Sequence, residues 1–129
     1  MTIPTYQDAD VILRLMHLYP ADAADYIWSD EFVPDSKRSE ATGTGGSEAR
    51  ASLRAVLGWF ESVGTLYKHG LLHEDLLFDW LATDATWDRV KGHALAWREE
   101  MGNVHIYENF EAMARAQVEW SAERDRTSA

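Results

Sequence analysis

Thirteen residues, "KHGLLHEDLLFDW" (68–80), hold the densest set of reactive side chains in the chain: His69, His73, Glu74, Asp75 and Asp79. Two histidines four apart on one helix would present two imidazoles to a zinc ion. Gly70 stands between them, however, where a left-handed residue ends a helix, and the spacing then loses its geometric meaning. "HEDLL" is not HExxH, and the chain has no ExxH pair of the kind a carboxylate-bridged di-metal bundle uses. His69 and His73 therefore stay only as a minor alternative metal site, and no cofactor is expected. There is no cysteine, which excludes thiolate ligands, cysteine nucleophiles and disulfides.

Other chemistry finds little support. No GxSxG is present, and Ser52, Ser62 and Ser121 fall on helical stretches with no evident base beside them. His17, His93 and His105 are isolated. Glu61, together with Glu108 and Glu111, offers the types needed for an acid pair. "GTGGS" (43–47) lacks the lysine of a phosphate-binding loop and has no strand before it. An enzyme is thus the less favoured class.

The elements that must carry these residues are helices, because apolar residues recur at three- and four-residue steps and nothing alternates long enough for a strand. Thr5 and Asp8 read as a capping box opening a helix over 6–19, with Ile12, Leu15, Met16 and Tyr19 inward. Pro20 opens a second over 21–32, which Pro34 stops. Residues 34–47 carry almost no apolar side chain and read as a mobile loop. The longest helix, 48–68, has Leu53, Val56, Leu57, Phe60, Val63 and Tyr67 on one stripe. Gly58 and Gly64 lie inside it at about 1 kcal/mol each in helix propensity, which predicts a helix passing close by. Helices over 74–82, 85–101 and 107–123 complete an all-α single domain of about six helices, with Thr83 or Asp84 as the cap of the fifth. The fifth buries Trp87, Val90, Ala94, Trp97 and Met101 and stops at Gly102; the sixth carries Phe110, Met113, Ala114, Gln117 and Trp120. The tail from 124 is expected to fray.

Within that frame the "KHGLLHEDLLFDW" stretch is a corner. Lys68 and His69 suit the negative end of a helix dipole, Gly70 the left-handed stop, and Leu71 its apolar contact. His73 reads as the next N-cap, with Glu74 and Asp75 in the first turn and Leu72 stapled to Leu77. Asp75 and Asp79 share a face, where like charges repel slightly. That face meets solvent or an arginine of a neighbouring helix such as Arg98. Glu108 also has a structural reading, as the third residue of a capping box from His105.

The bulk numbers set the limits. With 46% hydrophobic residues, six Trp, five Tyr and four Phe, 129 residues suffice for one core. The net charge of −10 is spread along the chain and would repel phosphate backbones, so nucleic-acid binding is not expected. No apolar run approaches the 20 or so residues of a membrane span, and "MTIPTYQDAD" has no signal-peptide pattern. A cytoplasmic protein without direct membrane insertion is expected.

The segments "LGWFESVGTLYKHGLLHEDLLFDWL" (57–81), then Trp87 and Arg98, and "YENFEAMA" (107–114) resemble an uncharacterised bacterial all-helical family, a domain of unknown function, over about residues 50–115. Some of its members carry an N-terminal membrane helix, whereas this chain starts with a helix of soluble character. The resemblance implies an all-helical fold and no activity. It singles out Glu61, Asp79, Arg98, Glu108 and Glu111, either as a buried network that fixes how helices meet or as a binding site, the former being favoured. The expectation is a non-enzymatic domain that binds a protein partner or a second copy of itself. The alternative is a small-molecule-binding protein or enzyme with an acidic and arginine site between helices, formed by Glu61, Asp79, Arg98 and Glu108.

Overall fold

The computed structural model describes residues 2–34 and 46–128. Among them lie six α-helices and no strand: α1 (Tyr6–His17), α2 (Ala21–Ile27), α3 (Gly46–Lys68), α4 (Glu74–Trp80), α5 (Thr83–Met101) and α6 (Glu108–Ser128). The loop expected over 34–47 falls mostly outside the described residues, and positions 46 and 47 already belong to α3. α3, α5 and α6 form the central layer, α2 packs on α3, and α1 rests on α4.

The caps predicted for α1 are present. Thr5 Oγ1 accepts from the Asp8 amide at 3.0 Å, and Asp8 Oδ2 accepts from the Thr5 amide at 2.8 Å. The helix ends two residues earlier than expected because Tyr19 precedes a proline, which disfavours the helical region. α2 ends at Ile27 rather than 32 for a different reason. Arg89 of α5 takes the carbonyls of Ile27 (Nε, 2.8 Å) and Ser29 (Nη2, 3.0 Å), which a continuing helix would use itself. The unwound chain then lays buried Phe32 against the His93 ring, 5.4 Å between centroids. His93 is itself buried, and its Nε2 lies 2.8 Å from the Val33 carbonyl.

A buried glutamine separates α4 from α5. Gln117 of α6 donates Nε2 to the carbonyls of Phe78 and Leu81 and accepts the Thr83 amide on Oε1 at 2.7 Å. α4 therefore stops at Trp80 instead of 82, and α5 starts at Thr83 instead of 85. Neither Thr83 nor Asp84 is the cap; Ala82 holds that position without a side-chain bond. α6 runs to Ser128, so the tail expected to fray is helical, with an Arg126–Glu123 ion pair one turn apart.

The core is the set of stripes read from the periodicity. Leu53, Val56, Leu57, Phe60 and Val63 of α3 are buried, as are Trp87, Val90, Ala94 and Trp97 of α5 and Phe110, Met113 and Ala114 of α6. Met16 and Met101, both expected inward, are exposed. At the centre Phe60 stacks on Phe110 (4.6 Å, 12°), and Trp87 meets Phe110 edge-on at 5.1 Å.

The two helical glycines of α3 behave differently. A Cβ on Gly64 would lie 2.6 Å from the Asn109 carbonyl oxygen and 2.7 Å from its carbon, so backbone touches backbone there. At Gly58 a Cβ would meet nothing within 4 Å, and the close approach expected at that position is absent. Gly58→Ala is therefore expected to raise stability by about 0.5–1 kcal/mol. Gly64→Ala should lower it by about 1–3 kcal/mol through overpacking. Urea unfolding of the two variants tests the pair, and equal shifts of one sign would contradict the packing.

Candidate functional site

The polar residues singled out by the sequence gather chiefly where α3, α5 and the start of α6 meet. α6 opens at Glu108 after Tyr107, whose φ is +56°, so the chain turns sharply into the helix. The amides of a first helical turn have no intrahelical acceptor. Glu61, reaching across from α3, supplies one: its Oε1 accepts the Phe110 amide at 2.9 Å. Asn109 beside it donates Nδ2 to Thr65 Oγ1 at 3.2 Å. Glu61 thus acts as an N-cap supplied from another helix, next to the Gly64–Asn109 contact, and its negative charge faces the positive end of the α6 dipole.

Arg98 secures the same turn from α5. Its Nε donates to the Ile106 carbonyl at 2.7 Å, its Nη1 to Glu111 Oε1 at 2.9 Å, and its guanidinium lies 5.7 Å from the centroid of the Trp87 ring. The pair is largely out of solvent, at 12% and 20% side-chain exposure, where a carboxylate–guanidinium contact is stronger than on a surface. Glu111 also accepts from Arg115 at 3.0 Å. Glu108 belongs to the rim: its Oε2 sits 2.7 Å from His105 Nδ1, a contact that, first among several causes, holds its carboxyl below the ordinary carboxylate range. It is the first residue of α6, not the third after a cap at His105, so the expected capping box does not form.

These residues do not make one acidic site around Arg98. Of the carboxylates at issue, Glu111 pairs with it, Glu61 binds a backbone amide and Glu108 binds His105. Asp79 is exposed on α4 and makes no hydrogen bond or ion pair among the described residues, so neither Arg98 nor another arginine answers it.

The corner folds as its residues dictate. Gly70 is left-handed at φ +74°, the Leu71 amide reaches the Leu66 carbonyl at 3.1 Å, and the Gly70 amide reaches that of Tyr67 at 3.0 Å. This is a Schellman stop. His73 caps α4, its Nδ1 accepting the Leu76 amide at 3.4 Å, which puts the ring proton on Nε2, 2.7 Å from the Thr2 carbonyl. Both nitrogens of His73 are thereby occupied, His69 lies across the helix stop, and no metal-ligating cluster occurs among the described residues. The minor metal alternative loses its geometry.

Beside that corner is a concave feature. A groove of about 680 Å³, half open to solvent, runs between the end of α3, the start of α4 and the second half of α6. Tyr67, His73, Glu74, Asp75, Ala116 and Trp120 line it. Asp75, paired with Asp79 by spacing, here accepts the Trp120 indole N–H on Oδ1 at 2.8 Å and so fixes the ring. The Tyr67 hydroxyl donates to Glu74, and burial first, then that carboxylate, raises the phenol above its usual 10.0.

From the sequence, Gln117 and Trp120 have only a place on the face of the sixth helix, and Arg89 has no assigned role. The signal for Gln117 was present, since an amide within an apolar stripe must find buried partners. Arg89 gave none, because its carbonyl partners lie some 60 positions away in the chain.

A protein-family model described as Domain of unknown function (DUF4760) matches residues 2–120, a longer span than the 50–115 resemblance and one that takes in α1 and α2. No curated protein and no solved structure matches the chain.

Arg98→Met is expected to lower stability by about 2–3 kcal/mol, because it removes charge-assisted bonds to the Ile106 carbonyl and Glu111. Asp79→Asn should stay within about 0.5 kcal/mol. Denaturant unfolding compares them, and a costly Asp79→Asn would contradict its exposed placement. The Tyr67 phenol, raised in the folded chain, stabilises the fold below its unfolded value of 10.0, and that contribution is lost as pH rises beyond it. Ring NMR should find Tyr67 still protonated at a pH where exposed tyrosines have lost the proton. Glu74→Gln should lower its midpoint only in part, because burial is the larger cause.

Proposed function

The chain belongs to the DUF4760 family, and we propose that it is a non-enzymatic binding module that recognises a segment of a partner protein in the groove beside α4. What supports the reading is the division of labour among its polar groups. Glu61, Arg98 and Glu111, the residues with types suited to acid–base work, spend their hydrogen bonds on the start of α6. The groove instead combines a fixed indole, a phenol and carboxylates facing outward.

The alternative small-molecule site required Glu61, Asp79, Arg98 and Glu108 to line a common cavity. Asp79 is exposed on α4 and bonded to none of the other three, and the lining of the groove includes none of the four. The groove has the volume of a ligand pocket, but such pockets cover most of their ligand. A half-open trough suits a length of chain, with Trp120 as the kind of aromatic anchor that dominates protein interfaces. No described helix is long and apolar enough to cross a membrane, consistent with a partner met in water. A cytoplasmic setting and a second copy of this chain as the partner are part of the same reading.

A photo-reactive residue placed at Ala116, in the groove, should yield a discrete cross-linked product in cells, whereas one at exposed Ala55 of α3 should not. The mass of the adduct tells a foreign partner from a second copy. Identical products from both positions, or none from 116, would contradict the reading.

A further inference from the structure

α1 carries a second apolar stripe that the fold leaves uncovered. Toward the core it turns Ile12, which is buried, with Leu15 half-buried beside it. Tyr6, Ala9, Leu13 and Met16 stand on an adjoining stripe, at steps of three, four and three, the spacing of a coiled-coil seam. Tyr6 is 98% exposed, Leu13 62% and Met16 38%, and Ala9 is half-buried. Single apolar residues scattered on a surface are ordinary. A row of them in heptad register along one helix is what a second helix covers. Along the flank away from Ile12 lie Asp10 and Arg14, paired at 3.2 Å and both exposed.

We propose that α1 is a self-association surface, on which the α1 helices of two copies of this chain pack antiparallel across a two-fold axis. No residue of α1 lines the groove, so the assignment stands apart from the partner-binding reading. With the axis beside Val11, Tyr6 faces Met16 of the second copy and Ala9 faces Leu13, each pair occurring twice. Branched Leu13 then meets a small residue, and the Tyr6 ring meets an adaptable thioether. Charge sets the direction. In a parallel pair Asp10 would lie against Asp10 and Arg14 against Arg14. In the antiparallel pair each Arg14 comes within about 3 Å, measured along the axis, of Asp10 of the other copy. Two carboxylates and two guanidiniums thus share one flank, and the helix dipoles are opposed. α1 holds two aspartates and one arginine, so the acidic excess of the chain is not concentrated at the seam. Two heptads bury less surface than a standard interface, so the dimer is weak and depends on concentration.

Sedimentation equilibrium of the full chain between about 10 μM and about 1 mM should show a reversible monomer–dimer equilibrium. Leu13→Asp should weaken the dimer at least tenfold and leave urea unfolding unchanged, because the side chain is exposed. Arg14→Asp should weaken it severalfold, and Asp10→Arg combined with Arg14→Asp should restore it. The chain has no cysteine, so introduced ones report the direction. An oxidised equimolar mixture of Tyr6→Cys and Met16→Cys chains should yield chiefly the mixed disulfide. A monomer at every concentration, association that survives Leu13→Asp, or Tyr6→Cys chains joined chiefly to each other would each overturn the assignment. So would a monomer that binds phosphatidylcholine vesicles through Leu13, since lipid would then be what covers the seam.

Discussion

The crossing of α3 over the start of α6 is the constraint on which the other contacts depend. With no side chain on Gly64, the backbone of α3 comes within contact of Asn109. That approach brings Glu61 within 2.9 Å of the Phe110 amide and Phe60 within 4.6 Å of the Phe110 ring. One residue of α6 is thus gripped through both backbone and side chain by consecutive residues of α3. The propensity lost at Gly64, about 1 kcal/mol, is offset by a capped helix end and a stacked aromatic pair at the centre of the core.

From there the fold repeats one device: a polar side chain from a long helix satisfies backbone groups where another element must bend. Arg98 binds the Ile106 carbonyl before α6, Gln117 bridges α4 and α5, and Arg89 takes the carbonyls freed where α2 unwinds. Each of these bends would otherwise bury unpaired peptide groups, at about 1–3 kcal/mol apiece. These residues belong to the architecture, and a search for function among them finds occupied hydrogen bonds. The carboxylates Glu74 and Asp75 and the fixed indole near the α3–α4 corner instead line the groove.

How much of this was legible depended on the range of the interaction. Local rules carried well: the Thr5–Asp8 box, the Gly70 stop and the His73 cap are present because all their partners lie within a few residues. The apolar stripes of α3, α5 and α6 gave the core for the same reason, the helical period being a local property. Helix ends were misjudged where a distant side chain decided them, as Arg89 does for α2 and Gln117 for α4 and α5. Asp79 drew notice as a carboxylate on an apolar helix, yet it points to water, since one face of a short amphipathic helix is free to do so. Its neighbour Asp75, one turn earlier, is the one that meets a tryptophan from α6, 45 positions on. Periodicity cannot tell which of two residues on one face lies opposite another element.

Glu61 bears on both halves of the structure, because the course of α6 that it fixes also carries Trp120 to the groove. Amide hydrogen exchange at Phe110 probes that role directly. In the native chain this amide, although in the first turn of its helix, should exchange as slowly as amides of the buried core. In Glu61→Ala it should exchange many times faster while the middle of α3 stays protected. A Phe110 amide that exchanges in the native chain at the rate of an uncapped helix end would contradict the central role given to the α3–α6 crossing.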